Sequence, residues 1–466
     1  MDLRPNGAAS CAASRISERM PLTAVVLAAG LGTRMRSPLA KVLHPLLGRP
    51  MVGWIVEALQ SVGADVVVVV HHHEEAVRAA LAPWNVRFAR QSAPRGTGDA
   101  VRSALAELPA TGPVVITAGD TPLLTAASIH RLLAAHRSNV TVAAFEARDP
   151  AGYGRMVPGV GIVEQAACTP DQARLRVVNS GLYVMEAEYL RHRLPDLVPH
   201  PPKDELWLTD LVDAESTVLD DFTEAEFLGV NDRAQLAEAR GVLRRRVNRA
   251  FAATGVDFAD LDSASVDVTV TLQPGAGVGL GAVITGDSRV AGQVGPHCVL
   301  HDTHVHAGAT ILAGSVCEGA VVHAGAVVGP LARLRGGADL RADVRVGCFV
   351  EVKASVLHEG AKANHLSYIG DADVGAYANI GAGTITCNYD GVSKHRTEIG
   401  TGAFIGSNSA LVAPLRIGEG AIVGAGSTLT QDVPPDAIAV ERSPVKHTLN
   451  SAERLRGHYR KRGGRR

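Results

Sequence analysis

Two hydrophobic periods divide this chain. From residue 22 to about 230, continuous apolar runs alternate with stretches at helical spacing. Thr23–Ala28, Asp65–Val70 and Val114–Thr117 read as strands buried on both faces of a parallel sheet. Met51–Val62 and Asp99–Glu107 read as helices between them. This βαβ series predicts a doubly wound α/β domain over residues 21–231. Leu236, Ala239, Leu243, Val247 and Phe251 then follow at helical spacing, predicting a connecting helix over 232–255 with Asn231 or Asp232 near its N-cap.

From about residue 266 the period becomes six. It is loose at first, then regular at Val316, Val322, Val328, Leu334, Leu340, Val346 and Val352, and again at Ile399, Ile405, Leu411, Ile417, Val423 and Leu429. A helix cannot keep every sixth residue on one face, because its period is 3.6. A parallel β-helix can, with one aliphatic residue per strand pointing inward and stacking on the next coil. The domain is predicted over 256–442. The beat fails over 353–373, returns at Val374 and Ile380, and fails again over 384–398. The ends carry neither period. Residues 1–20 lack the apolar core of a signal peptide and read as a disordered leader, with Met20 an alternative start. Residues 443–466 read as a basic, solvated, disordered tail; nucleic-acid binding is the sharper alternative for it.

Composition sharpens this picture in three ways. At 466 residues the chain exceeds one ordinary domain. A net charge of -1 gives no general attraction to nucleic acid or to a membrane surface. The cysteines (Cys11, Cys168, Cys298, Cys317, Cys348 and Cys387) form no C-x-x-C pair, which points away from a zinc site or disulfide framework and towards a reducing cytoplasm.

Candidate chemistry begins where the first strand runs into Ala28-Ala29-Gly30-Leu31-Gly32-Thr33-Arg34-Met35. Gly30 and Gly32 let backbone N–H groups close around phosphate, Arg34 adds a fixed positive fork, and Lys41 can return to the same phosphates. Without Arg34 and Lys41 the glycines would read as a plain turn. Met35 at the sixth position rules out the dinucleotide fingerprint. Asp120, in Gly119-Asp120-Thr121-Pro122, sits at the carboxyl edge of the expected sheet, where a carboxylate can hold a metal. Gly229-Val230-Asn231 is expected to end a late strand and to offer a second oxygen ligand. His71-His72-His73 reads as a solvated loop rather than a metal site, because adjacent residues on an extended segment alternate faces.

Together these residues resemble the sugar-phosphate nucleotidyltransferases, with Rossmann-like catalytic domains. Gly152-Tyr153-Gly154-Arg155, Ile162-Val163-Glu164 and Asn179 belong to the same set. The resemblance implies that Leu27, Ala28, Ala29, Gly30, Arg34, Lys41 and Gly119 surround a nucleoside triphosphate. It implies that Asp120 and Asn231 hold Mg²⁺, that Gln91, Gly96 and Thr97 read uracil, and that Gly154, Glu164 and Asn179 bind the sugar. Ala40, Pro94, Arg95, Ala118, Ala166 and Ala167 depart from the family pattern.

The breaks in the six-residue beat narrow the family. The first holds Lys362-Ala363-Asn364-His365-Leu366-Ser367-Tyr368-Ile369-Gly370-Asp371, and the second Thr384-Ile385-Thr386-Cys387-Asn388-Tyr389-Asp390-Gly391. These resemble the acetyltransferase half of the bifunctional enzymes that acetylate glucosamine 1-phosphate and then uridylylate it, and the likeness spans about 22 to 442. It implies a left-handed β-helix of hexapeptide repeats, usually assembled as a homotrimer with acetyl sites between subunits. His365 becomes the general base, since a histidine suits proton removal from an attacking amine near neutrality. By the same resemblance Arg333, Lys353, Tyr368 and Asn379 bind the acetyl acceptor, and Ala382, Asn388, Tyr389, Ser407, Ala425 and Arg442 contact acetyl-CoA. Ala382, Ser407 and Ala425 each lie two residues after a beat residue, so they are expected to stack along one edge.

The expected function is synthesis of UDP-N-acetylglucosamine, feeding cell-envelope precursors such as peptidoglycan. Glucosamine 1-phosphate is acetylated by acetyl-CoA, and N-acetylglucosamine 1-phosphate is then coupled to UTP with release of pyrophosphate. Two rivals stand beside it: a single-activity nucleotidyltransferase whose β-helix only oligomerises, and a non-enzymatic scaffold.

Overall fold

The computed structural model describes residues 22–463, so the expected leader lies outside the described residues. Two compact units divide after Val247. The first is built on a nine-stranded sheet. Its strands are β1 (Thr23–Leu27), β2 (Asp65–Val70), β3 (Arg87–Arg90), β4 (Pro113–Ala118), β5 (Val140–Glu146), β6 (Arg155–Val157), β7 (Gly161–Val163), β8 (Val177–Glu186) and β9 (Thr217–Phe222). The main order is β9-β5-β8-β4-β1-β2-β3, with β6 pairing β8 and β7. The aliphatic runs β1, β2 and β4 lie side by side in parallel, as expected.

The sheet is not wholly parallel. β8 runs antiparallel to both β4 and β5. Its sequence, Val177-Val178-Asn179-Ser180-Gly181-Leu182-Tyr183-Val184-Met185-Glu186, gives strand propensity but no direction, which is set by neighbours remote in sequence. The expectation for 229–231 also changes. The last strand of this sheet ends at Phe222, a 3₁₀ turn covers Glu224–Phe227, and Gly229–Asn231 is a connection without regular structure. It is anchored where the Val230 N–H donates to the Asp120 carbonyl at 2.9 Å. The long helix spans Arg233–Ala253. Its N-cap is Asp232, whose carboxylate accepts from the Gln235 N–H at 2.9 Å, while the Gln235 side chain accepts from the Asn231 N–H at 2.8 Å.

The second unit is a three-sided coil of parallel strands, with faces of eleven, ten and nine strands. The first face starts at Asp257–Phe258, the second at Ser265–Val266 and the third at Thr271–Leu272. One continuous core of stacked Val, Ile, Leu and Ala fills it. Each fully buried aliphatic side chain contributes about 1.5–3 kcal/mol, so the stack is the main stabilising element.

The coil explains why the beat falters in sequence. Over 353–373 the stack continues through Leu357, Ala363 and Ile369, all buried. The beat shifts because Val352 to Leu357 and Ile369 to Val374 are steps of five, both at the corner between the second and third faces. Further up, Cys317 rather than Val316 is the inward residue. The second break is a true insertion at that same corner: Thr386 is buried on the second face, and the third face resumes with buried Thr397 and Ile399. The basic end is not wholly irregular, since Ser451–Gly463 forms a polar helix.

Candidate functional sites

In the first unit, β1 ends at Leu27 and the chain turns through Ala28-Ala29-Gly30-Leu31-Gly32 into a 3₁₀ turn at Thr33–Met35. Gly32 has φ +60, and a Cβ there would stand 2.6 Å from Lys41 Cβ. An L side chain disfavours that conformation and would displace the lysine. Gly30 has nothing within 4 Å of its Cβ position, so its backbone faces open space. Gly119 closes the adjacent turn, its N–H donating to the Leu27 carbonyl at 2.8 Å.

Four side chains expected from the sequence converge here. Lys41 Nζ pairs with Asp120 Oδ2 and lies 3.2 Å from Asn231 Oδ1. Arg34 Nη2 donates to the same Asn231 oxygen at 2.8 Å. Two cations therefore meet two oxygen donors that come from strand ends and loops far apart in sequence. The segment carrying Lys41 is held to the long helix, where Arg240 donates to the Pro45 carbonyl at 3.3 Å, and Arg233 reaches the Met35 carbonyl at 3.2 Å. Replacing Gly32 by Ala is expected to lower nucleotidyl transfer by about tenfold or more through displacement of Lys41. Parallel steady-state assays check this, with acetyl transfer unchanged.

The other N-terminal residues form two further groups. Gln91 is buried, and its Nε2 donates to Asp99 at 2.9 Å and to the Gly96 carbonyl at 3.2 Å. Burial alone would raise the Asp99 carboxyl, but the hydrogen bonds from Gln91 and Arg102, with the charge of Arg95, hold it below the usual carboxylate range. The Gln91 side chain thus braces the Gly96–Thr97 turn from inside. Gly96 has φ +92 and packs against the Leu206 backbone, and the Thr97 hydroxyl accepts from the Leu208 N–H at 3.0 Å. The second group lies on β6–β8. Glu164 accepts from the Thr209 hydroxyl at 2.9 Å, and the Asn179 amide donates to the Tyr183 hydroxyl at 2.6 Å. Gly154 has no room for a side chain, because Ile162 Cγ2 lies 2.9 Å from its Cβ position. Burial, then the charges of Glu224 and Asp120, pushes the neighbouring Tyr153 phenol up, so this group lies within electrostatic reach of Asp120. Thr209 and Tyr183 were not marked by any motif.

In the second unit, one corner carries the predicted ladder. At the turn from the first face to the second, His365, Ala382, Ser407 and Ala425 occupy successive coils. The N–H groups of Gly383, Asn408 and Gly426 donate to the carbonyls of His365, Ala382 and Ser407 at 3.4, 2.8 and 2.8 Å. Arg442 continues the column, its Nη1 donating to the Ala425 carbonyl at 2.8 Å. With roughly 4.8 Å between coils, the ladder from His365 to Ala425 is about 14 Å long. His365 stands exposed at its end, and its imidazole has no hydrogen-bond partner among the described residues.

The opposite edge of the second face carries a charged cluster. Lys353 Nζ lies 3.5 Å from Asp371 Oδ2, and the buried Asn388 amide donates to that same carboxylate oxygen. Asn388 Nδ2 is also 3.5 Å from the Tyr368 hydroxyl. Lys394, from the inserted segment, approaches Lys353 closely enough that the Lys353 ammonium holds it below the usual lysine range. Two crowded cations make a ready anion site. Arg335 belongs to this cluster. It pairs with Glu351 at 2.9 Å and its charge is felt by Lys394. Arg333 instead pairs with Glu318 at 3.6 Å, on the exposed start of its strand. Arg333 and Arg335 flank inward Leu334, so the two are hard to separate by pattern alone.

Some residues expected at the acetyl site lie apart from the rest within one chain. Asn379 starts a strand on the first face, paired with Lys362 and Phe404, and so does not join Lys353 and Tyr368 on the second. Asn388 and Tyr389 lie at the corner with Lys353, not on the His365–Ala425 ladder. Face assignment depends on the count of residues between corners, and the five-residue steps disguise it.

Comparison with known proteins agrees with both halves. Residues 24–215 match the MobA-like NTP transferase domain, and residues 396–431 match the bacterial transferase hexapeptide of six repeats. The Bifunctional protein GlmU of Geotalea uraniireducens is 41% identical over 442 residues, covering 91% of this chain and 97% of that protein. The protein of the same name from Trichlorobacter lovleyi is 43% identical over 446 residues, covering 90% and 96%. That from Sorangium cellulosum is 42% identical over 466 residues, covering 94% and 98%.

The chain belongs to the GlmU family.

It is therefore a bifunctional transferase of UDP-N-acetylglucosamine synthesis, with a uridylyltransferase and an acetyltransferase activity. The GlmU likeness runs through both units, which disfavours a β-helix that only oligomerises. Among the described residues no helix is long and apolar enough to cross a membrane. Among the described residues, no group of three or more His, Cys, Asp or Glu is arranged so that it could hold a metal ion.

Proposed function

We propose that each half performs its reaction at the cluster described in it, and that the protein works as a cytoplasmic homotrimer with no nucleic-acid or membrane partner. The convergence of Arg34, Lys41, Asp120 and Asn231 carries the uridylyl half. UTP lies over the Leu27–Gly32 turn and Gly119. Arg34 and Lys41 neutralise its phosphates, and Gly96 and Thr97 border the base with Gln91 behind them. Gly154, Glu164 and Asn179 hold N-acetylglucosamine 1-phosphate, with Thr209 and Tyr183 fixing Glu164 and Asn179. The sugar phosphate oxygen is already anionic, so no general base is needed for its in-line attack on the α-phosphorus.

A carboxylate and an amide oxygen meeting at one point fit Mg²⁺, which takes one or two protein oxygens and completes its shell with phosphates and water. Asp120 and Asn231 would hold it, with Lys41 moving from Asp120 onto phosphate. When bound, the ion would supply neutralisation of the triphosphate's negative charge. Chelation with EDTA is expected to abolish uridylyl transfer and leave acetyl transfer at its full rate. Adding MgCl₂ in excess should restore the former, and both rates are read by product chromatography.

In the acetyl half, acetyl-CoA lies along the Ala382–Ser407–Ala425–Arg442 ladder, bringing its thioester to His365. His365 takes the proton from the amine of glucosamine 1-phosphate as nitrogen attacks the thioester carbonyl, and CoA leaves as the thiol. Lys353, Lys394, Arg335 and Tyr368 bind the acceptor's phosphate, with Arg335 in the place first given to Arg333. Asn379 lies on another face of the same chain, and Asn388 and Tyr389 on another corner from the ladder. That division supports a site completed by a neighbouring subunit.

The reading is tested by supplying glucosamine 1-phosphate, acetyl-CoA and UTP together. UDP-N-acetylglucosamine, free CoA and pyrophosphate are expected in equal amounts. Formation of the nucleotide sugar without acetyl-CoA consumption would overturn the order of the reactions.

A further inference from the structure

The inserted segment at the corner between the second and third faces is organised around one carboxylate. Asp390 Oδ1 accepts from the N–H groups of Val392 at 2.8 Å and Ser393 at 2.6 Å, and its Oδ2 pairs with His395 Nε2 at 2.7 Å. The Ser393 N–H, then the His395 ring and the Val392 N–H, hold this carboxyl far below the usual carboxylate range, so it stays charged through the working pH range. The loop closes on itself as a result. Tyr389 and Lys394 form an antiparallel bridge, the His395 N–H donates to the Asn388 carbonyl at 2.8 Å, and the Tyr389 hydroxyl donates to the Gly391 carbonyl at 2.6 Å. Asn388 at its base reaches Asp371, and Lys394 at its end reaches Lys353.

We infer that Asp390 is a positioning residue for acetyl transfer: it folds the 388–396 insertion into a rigid loop that sets Lys394 against Lys353 at the acceptor phosphate and presents Tyr389 to acetyl-CoA. It touches neither substrate. The inference rests on the acetyltransferase reading above and adds to it a residue that supports both substrate sites at once. Lys394 sits among exposed residues, with Val392 at the loop tip 89% exposed, so core packing does not fix its place. The hydrogen bonds to Asp390 do, and a displacement of about 1 Å at a positioned group is enough to lose a large share of its effect.

The test uses the full-length enzyme. Asp390→Ala is expected to raise KM for both glucosamine 1-phosphate and acetyl-CoA about tenfold or more, with kcat changed by less than about threefold. Asp390→Asn keeps an oxygen for the two backbone N–H groups and is expected to recover most of that loss. His395→Ala, which removes one donor, should shift both KM values in the same direction by a smaller factor. Uridylyl transfer and the thermal midpoint should match the wild type in all three. Unchanged KM values in Asp390→Ala, a loss confined to kcat, or a parallel loss of uridylyl transfer would overturn the inference. Absence of acetyl transfer in the wild-type enzyme would overturn the functional reading itself, and is seen in the same assay.

Discussion

Replacing His365 by Ala is expected to lower acetyl transfer by about 10²–10⁴-fold, the usual worth of a positioned general base, and to leave uridylyl transfer at the wild-type rate. The acceptor's amine cannot attack a thioester while it carries its extra proton, and the tetrahedral adduct must lose another. His365 is placed to receive it: its ring is exposed at the end of the Ala382–Ser407–Ala425 ladder and is tied to no other side chain among the described residues. An imidazole locked into the protein's own hydrogen bonds, such as His136 between Thr141 and Glu186, would be poorly suited to that task. Because His365 lies on a strand paired through Lys362 and Ala363, its loss should not disturb the coil. A steady-state assay that follows CoA release with a thiol reagent reads the effect in kcat. A His365→Ala variant that acetylates normally would remove the histidine from the chemistry.

Replacing Asp120 by Asn is expected to lower uridylyl transfer by at least about a hundredfold and to leave acetyl transfer intact. The carboxylate is the only acidic ligand in the proposed metal pair, and changes even in groups behind a metal ligand cost about 10–100-fold. The substitution also removes the ion pair with Lys41, at a site where the two side chains are 13% and 21% exposed. Lys41 would then face two neutral amide oxygens, at 120 and at Asn231, with no carboxylate to balance its charge. The residual activity should therefore need a higher Mg²⁺ concentration, which a metal titration of the initial rate measures. An Asp120→Asn enzyme with wild-type rate and Mg²⁺ dependence would exclude Asp120 as a ligand.

Particular residues show what could be read from the chain alone. Arg34, Lys41 and Asp120 have local signatures in the glycine turn and the strand end, and the family resemblance grouped them with Asn231. The direction of Val177–Glu186 was not, since an isolated strand pattern carries no information on its neighbours. The β-helix was legible from its six-residue beat, yet its first interruption misled. Leu357, Ala363 and Ile369 keep the core filled, and only the corner length changes. The same one-residue shifts decide which face carries Asn379. They also hide Arg335, which differs from Arg333 only in lying on the other side of inward Leu334. Gln91 shows a different limit. The family resemblance implies base recognition for it, whereas its buried amide turns inward onto Asp99 and Gly96, a contact that no spacing reveals.

The central claim is that one chain carries two chemically separate transfer sites, one around Arg34, Lys41, Asp120 and Asn231, the other along the His365 ladder. Its most direct test measures both partial reactions for the wild type, His365→Ala and Asp120→Asn, with glucosamine 1-phosphate and acetyl-CoA in one assay and N-acetylglucosamine 1-phosphate and UTP in the other. The account predicts a crossed result, each variant losing one activity and keeping the other at the wild-type rate. Loss of both activities in either variant, or of neither, would contradict it.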